Sequence, residues 1–340
     1  MAQTPAKRHH YVPQFYLRGF ADGEQIATVR LPGNVRYTSS VRKTGAENGF
    51  HAVQGHPDGD DAFEKVLSPI EGAASQIFAR IEGGEWPLTP GDRATLAYFI
   101  ALQATRGPEQ RRNMDQLAAD VARMEIGYGG KANVKGWARR ERGIDLTDVE
   151  ADLMWEQATR PGGPPIRHTA LAHIEQMMEM VDTIHPSLSF RPWTLVRFED
   201  ESLLTSDSPV TLVARSDDGT WMGVGFMTAQ FVLYPLTRKL GLIMSDPEMM
   251  IDLEVPVERV RNSEFDLAQN GSLEIANFLN WTTARQASLS LFHHPDDARF
   301  VPAELPEPRP VTMSMSGRHV EFTGEPLFDV PNTPDQASTG

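Results

Sequence analysis

The chain has 340 residues, no cysteine and a formal net charge of −14. Its 40% apolar and 23% charged composition is that of a globular chain. The missing cysteines exclude disulfides, thiolate metal centres and cysteine nucleophiles, and no apolar run approaches the roughly 18 residues of a membrane span. With no apolar signal-peptide core at its start, the chain is expected to be cytoplasmic, with no membrane partner.

The opening KRHHYVPQFYLRGF reads as an extended HHYV followed by a short helix. Pro13 suits a first helical position and Gly19 suits the left-handed residue that ends the helix. Ile26–Leu31 and Val35–Val41 alternate as strands around a PGN turn, which predicts a hairpin, and GFHAV offers a third short strand. From Asp60 the period changes. Phe63, Val66, Leu67, Ile70, Ala74, Ile77, Phe78 and Ile81 fall on one helical stripe. Pro69 interrupts it, and Ser68 with Glu71 reads as a capping box that starts the helix afresh. Thr89-Pro90-Gly91-Asp92 opens the next helix, which runs to Gly107-Pro108. Helices over about 109–127, 147–160 and 165–184 follow, the second opened by Thr147 and Glu150, the third closed by His185-Pro186. Tyr128–Gly136 and Arg160–Pro165 read as loops.

The pattern then turns to strands at Trp193–Glu199, Ser202–Asp207, Val210–Arg215, Gln230–Leu236 and Lys239–Ser245. A helix over Ser272–Arg285 leads into SLSLFHH. The proline-rich end carries one more possible hairpin, TMSMS with HVEFT, before a disordered tail. The expected class is α+β, with an N-terminal β-hairpin, a central helical layer and a C-terminal mostly antiparallel sheet. The expected organisation is one large domain over 1–300: motif and hairpin at 1–57, helices at 58–187, sheet at 188–300. A proline-rich extension follows at 301–340.

HHYVPQFYLRGF, FEKVLSPIEGAA, LAYFIALQATRGP and LLTSDSPV occur in that order. Together they resemble an uncharacterised bacterial domain-of-unknown-function family whose members open with HHxVPxFYLRxF. The resemblance covers about Lys7 to His294 and implies a cytoplasmic bacterial or phage-associated protein with one large domain. It implies no reaction. HHYVP also matches the HHxVP string of metal-dependent ββα nucleases. There an Asn or His on a following helix completes the metal site, whereas here the next residues read as a hairpin, with only Asn48 and His51 after it.

His9 and His10 are neighbours on an extended chain and point to opposite faces, so at most one faces a given site. Such a histidine serves as a base or metal ligand near neutral pH, or it pins the terminus by hydrogen bonds. Glu64 and Glu71, seven residues apart, lie nearly in line on one helix flank and suit a shared proton or a divalent cation. Gln103 and Arg106 share a helix side with Phe99. An arginine there needs a carboxylate or an anionic ligand, because a buried unpaired charge is costly. Asp207, in SDSP at a strand end, either braces its own turn or faces the histidines. Asn277, Asn280, Arg285 and the exposed-looking His293-His294 are weaker candidates. No phosphate loop, GxGxxG, HExxH or GxSxG is present.

The reading that follows is a hydrolase, a metal- or histidine-dependent phosphodiesterase or nuclease, acting as a phage-defence or toxin effector. His9 or His10, Gln103, Arg106 and Asp207 form its catalytic set, and Glu64, Glu71 and Asp207 bind Mg²⁺ or Mn²⁺. Its substrate clue is charge. Met1–Gly45 carries seven cations against two acids, a basic face for nucleic acid or a nucleotide in an acidic protein. The alternative is a non-catalytic sensor or interaction protein in which the same polar groups form a structural network.

Overall fold

The fold is α+β, as the patterning predicts: N-terminal strands, a helical middle and a mostly antiparallel sheet. The computed structural model describes residues 8–215, 224–309 and 322–326. The chain gathers into two compact units, one of residues 1–110 and 169–310, the other of 111–168 and 311–340.

In the larger unit, β1 (Arg8–His10) leads into the short helix α1 (Gln14–Arg18), which Gly19 ends in a right-handed conformation, φ −62°, not the left-handed one expected. Val12, Tyr16, Leu17 and Phe20 are fully buried. Phe15 packs edge-on against Phe78 and beside Phe99, and Tyr16 stacks on Tyr234 at 5.3 Å. The Tyr16 hydroxyl donates to the Pro235 carbonyl at 2.7 Å. Each such buried side chain is worth about 1.5–3 kcal/mol. The aromatic-rich opening is thus an internal plug.

The predicted hairpin is β2 (Gln25–Arg30) and β3 (Val35–Ser40), paired antiparallel. The third N-terminal strand is not GFHAV but β4 (Ala46–Asn48), just before it. It pairs antiparallel with β1, with His9 opposite Glu47. Gly45 makes this possible. At φ +62° its carbonyl accepts the amides of Tyr11 and Val12, and a side chain there would press on Val12 Cβ at 2.9 Å.

The stripe from Asp60 forms one unbroken helix, α2 (Ala62–Glu82), with Pro69 inside it. The capping-box restart at Ser68 does not occur. Pro69 and Lys65 lie on the exposed side, where the Lys65 carbonyl that loses its amide partner faces water. Burial of Phe63, Leu67, Ala74, Ile77, Phe78 and Ile81 holds the helix through the proline. Val66, counted in the stripe, is 54% exposed.

Next come α3 (Pro90–Thr105), capped by Thr89 as expected, and α4 (Pro108–Tyr128), which begins right after Gly107. In the smaller unit, α4 is followed by α5 (Val134–Arg142), a helix that the glycines of YGGKANVKG concealed. Then comes α6 (Asp148–Thr159), with the Thr147–Glu150 capping box in place. Trp137 and Trp155 centre that unit's own apolar cluster.

Back in the larger unit, α7 (Ala170–Ser189) packs on α3. It passes through His185-Pro186 instead of stopping there. Pro186 and Asp182, whose carbonyl it strands, are again exposed. The strands β5 (Trp193–Arg197), β6 (Thr205–Ser206), β7 (Thr211–Val213), β8 (Phe231–Thr237) and β9 (Leu240–Ser245) fall where alternation places them. Short helices α8 (Glu248–Asp252) and α9 (Val257–Arg261), strand β10 (Leu267–Asn270), helix α10 (Leu273–Gln286) and β11 (Ser290–His293) complete the unit. Of these, α8, α9 and β10 escape the patterning, being only four or five residues long. One sheet runs β10-β5-β9-β8-β7, antiparallel except for β10 beside β5. The other runs β3-β2-β11-β6. The TMSMS strand and the expected disordered end lie outside the described residues, as does most of HVEFT.

Candidate functional site

Three segments converge beside α2. Strand β1 supplies His9, the turn after β4 supplies His51, and the first turn of α2 supplies Glu64. His9 and His51 are buried, at 1% and 0% exposure, while the Glu64 side chain keeps 29%. The two imidazoles stack nearly parallel, 6.0 Å apart. His51 Nδ1 lies 2.7 Å from Glu64 Oε1, and His9 Nδ1 lies 4.0 Å from the same oxygen. The His51 backbone amide donates to His9 Nδ1 at 2.8 Å. One donor atom from each of the three residues lies within 4.8 Å of the others.

The electrostatics prepare this group. Burial holds the His51 ring below its ordinary pKa, against the opposing pull of Glu64. Burial by itself would raise the Glu64 carboxyl. The His51 hydrogen bond and the charges of His51, His9 and Arg106 outweigh it and hold Glu64 below its usual value. Near neutral pH the site is therefore an ionised carboxylate beside a neutral imidazole. The proton sits on His51 Nδ1, which donates to Glu64, and Nε2 keeps its lone pair. That Nε2 is buried and has no hydrogen-bond partner among the described residues.

His10 points the other way, as strand alternation requires. Its Nε2 lies 3.2 Å from the Arg42 carbonyl, and burial lowers its pKa. It still feels the charges of Glu64, Arg106 and Glu71. Arg106 is 1% exposed. Its Nε donates to the Tyr11 carbonyl and its Nη1 to Glu71 Oε1, both at 2.7 Å. Its Nη2 and both ends of the Gln103 amide are buried without hydrogen-bond partners among the described residues. The unbroken α2 places Glu64 and Glu71 on one side: Glu64 serves the histidines and Glu71 holds the arginine.

Asp207 is occupied elsewhere. Its Oδ1 accepts the Ser288 amide at 2.8 Å, and its Oδ2 accepts those of Leu289 at 2.8 Å and Ser290 at 3.2 Å. Burial pushes this carboxyl up to about 6, against the three amides that favour its charge. It clasps the end of β6 to the start of β11. Asn280 does similar work, bonding the Leu204 amide and the Ser202 carbonyl at 2.9 Å each. Asn277 is exposed, and Arg285 lies over the Trp281 ring. His293 and His294 are buried, not solvated: His293 Nδ1 bonds the His294 carbonyl, and His294 caps the following turn.

His51 is the residue that sequence reading passed over as a candidate. Its signal was the HHxVP context, which needs a histidine or asparagine downstream. The β2–β3 hairpin that obscured that context belongs to the four-stranded sheet. With α1 and the hairpin set aside, β1, β4 and α2 follow one another as strand, strand and helix, with histidines on the strand and turn and a carboxylate on the helix. Among the N-terminal cations, Arg8, Arg30, Arg36, Arg42 and Lys43 are exposed, while Arg18 pairs with Glu24.

Among the described residues, no helix is long and apolar enough to cross a membrane. No curated protein and no solved structure matches the chain. The model of a family described as a protein of unknown function, DUF4238, matches residues 8–297, and the chain belongs to that family.

Proposed function

We propose that the protein is a phosphodiesterase or nuclease whose reaction centre is His9, His51 and Glu64. The observation that carries this reading is the Glu64–His51 pair. A carboxylate 2.7 Å from Nδ1 orients a buried imidazole and leaves its Nε2 lone pair free for proton transfer. Arg106 and Gln103, with buried N–H groups not yet used, supply hydrogen bonds to an anionic group. The exposed cations of the N-terminal segment suit a nucleic acid or nucleotide. A divalent cation is the expected cofactor and the cytoplasm the expected compartment. A role in phage defence or as a toxin fits such an activity.

The test is hydrolysis of bis(p-nitrophenyl) phosphate and of labelled RNA and DNA by the purified chain, against His51→Ala and Glu64→Gln. Loss of at least about a hundredfold in both variants is expected for a general base. Equal rates in wild type and variants refute the assignment. A second reading, a non-catalytic structural network, is favoured by one observation: His9 Nδ1 already accepts the His51 amide, and two Arg106 donors already hold Tyr11 and Glu71. It predicts that the same variants lose stability and that no hydrolysis is seen in any of them.

A further inference from the structure

The donor set beside α2 is two imidazoles and one carboxylate, and this composition discriminates among cations. Magnesium and calcium take oxygen ligands and retain water; they gain little from imidazole. Zinc, manganese and their first-row neighbours bind imidazole nitrogen well, and two histidines with one carboxylate is a set that zinc accepts while leaving a position open. We propose that His9, His51 and Glu64 form a site for a divalent transition-metal ion, zinc or manganese in preference to magnesium. The inference deepens the hydrolase reading, because it names the cation that would serve the same centre.

Three features support it besides composition. The donor atoms lie within 4.8 Å of one another although they come from three separate segments. A small adjustment brings such atoms to the roughly 2.0–2.2 Å that nitrogen and carboxylate ligands take around one ion. Burial is graded. Both histidines are enclosed and Glu64 is 29% exposed, so the carboxylate side gives a path for the ion. Finally, the exchange leaves the His51 ring neutral. The ion takes His51 Nδ1 in place of its proton, which moves to Nε2, and it competes with the His51 amide for His9 Nδ1. His51 Nε2, which has no hydrogen-bond partner among the described residues, is open to that proton. The nearby positive charge of Arg106, which opposes a cation, is paired with Glu71 at 2.7 Å.

The experiment is isothermal titration of tag-free, EDTA-stripped full-length protein with ZnCl₂, MnCl₂ and MgCl₂. One zinc or manganese ion per chain is expected, bound at least tenfold more tightly than magnesium. Glu64→Gln and His51→Ala should each weaken that binding tenfold or more. Equal affinity for magnesium and zinc overturns the proposal, since it describes a site of oxygens alone. So does tight zinc binding that survives both variants, which places the ion elsewhere. Should a variant fail to fold, anomalous scattering from wild-type crystals grown with zinc decides the matter: a peak between the three residues supports the site, and a peak elsewhere or none refutes it. Failure of the hydrolase reading is separable. An ion bound here without any hydrolysis sinks the reaction and keeps the site, whereas hydrolysis unaffected by EDTA sinks the site and keeps a histidine mechanism.

Discussion

Removing Glu71 should expose how strongly this protein depends on one buried charge. Arg106 is 1% exposed, and Glu71, 29% exposed, is the carboxylate in direct contact with it, at 2.7 Å. A hydrogen bond to a charged group contributes about 1.5–3 kcal/mol. Stripping one partner from a fully buried pair costs about 3–5 kcal/mol. Glu71 keeps some water and Glu64 also acts on Arg106, so Glu71→Ala is expected near the lower bound, about 2–3 kcal/mol. Arg106→Met removes the charge but orphans the Tyr11 carbonyl, for about 1–3 kcal/mol. Much of the first loss is the stranded guanidinium, so the double variant should cost less than the sum, with a coupling of about 1–2 kcal/mol. Urea unfolding of the four proteins, followed by circular dichroism, measures the cycle. A coupling below about 0.5 kcal/mol would refute the reasoning, because it would mean that Arg106 is neutralised by something other than Glu71.

Asp207 gives a pH signature. Its folded pKa of about 6 lies above the ordinary 3.8, so the native state binds more protons in that window. Stability is therefore expected to fall as pH rises from about 4 to 6, by up to about 1.4 kcal/mol per unit, and to level off above. Asp207→Asn should remove that component in urea titrations across the window; an unchanged slope in the variant assigns it to another group. Pro69→Ala restores an amide to an exposed position of α2 and should raise stability by about 1–2 kcal/mol. A loss instead would mean that Pro69 sets the placement of Glu64 and Glu71. His10→Ala gives up a 3.2 Å contact with the Arg42 carbonyl and should cost less than about 1 kcal/mol in thermal unfolding. A larger cost would place His10 in the structural network.

Periodicity by itself determined most of the architecture. Helical stripes, alternating strands and the caps at Thr89 and Thr147 are local signals, and they emerged as α2, α3, α6 and the main strands. Local signals failed where burial outweighed them. Pro69 and Pro186 read as breaks, yet each sits on the wet side of a helix whose other side is buried, and the helix continues. The candidate site was half legible. His9, Glu64, Glu71, Gln103 and Arg106 stand out as charged or polar groups at buried-face spacing. Their partners do not, because contacts between residues far apart in sequence leave no periodic trace. Only the tertiary structure joined His51 to Glu64, gave Arg106 to Glu71 and committed Asp207 to three backbone amides. Only it showed that the hairpin between β1 and β4 is set apart in another sheet. The sequence chose the side chains that must be paired if buried; packing of distant segments decided which pairs form.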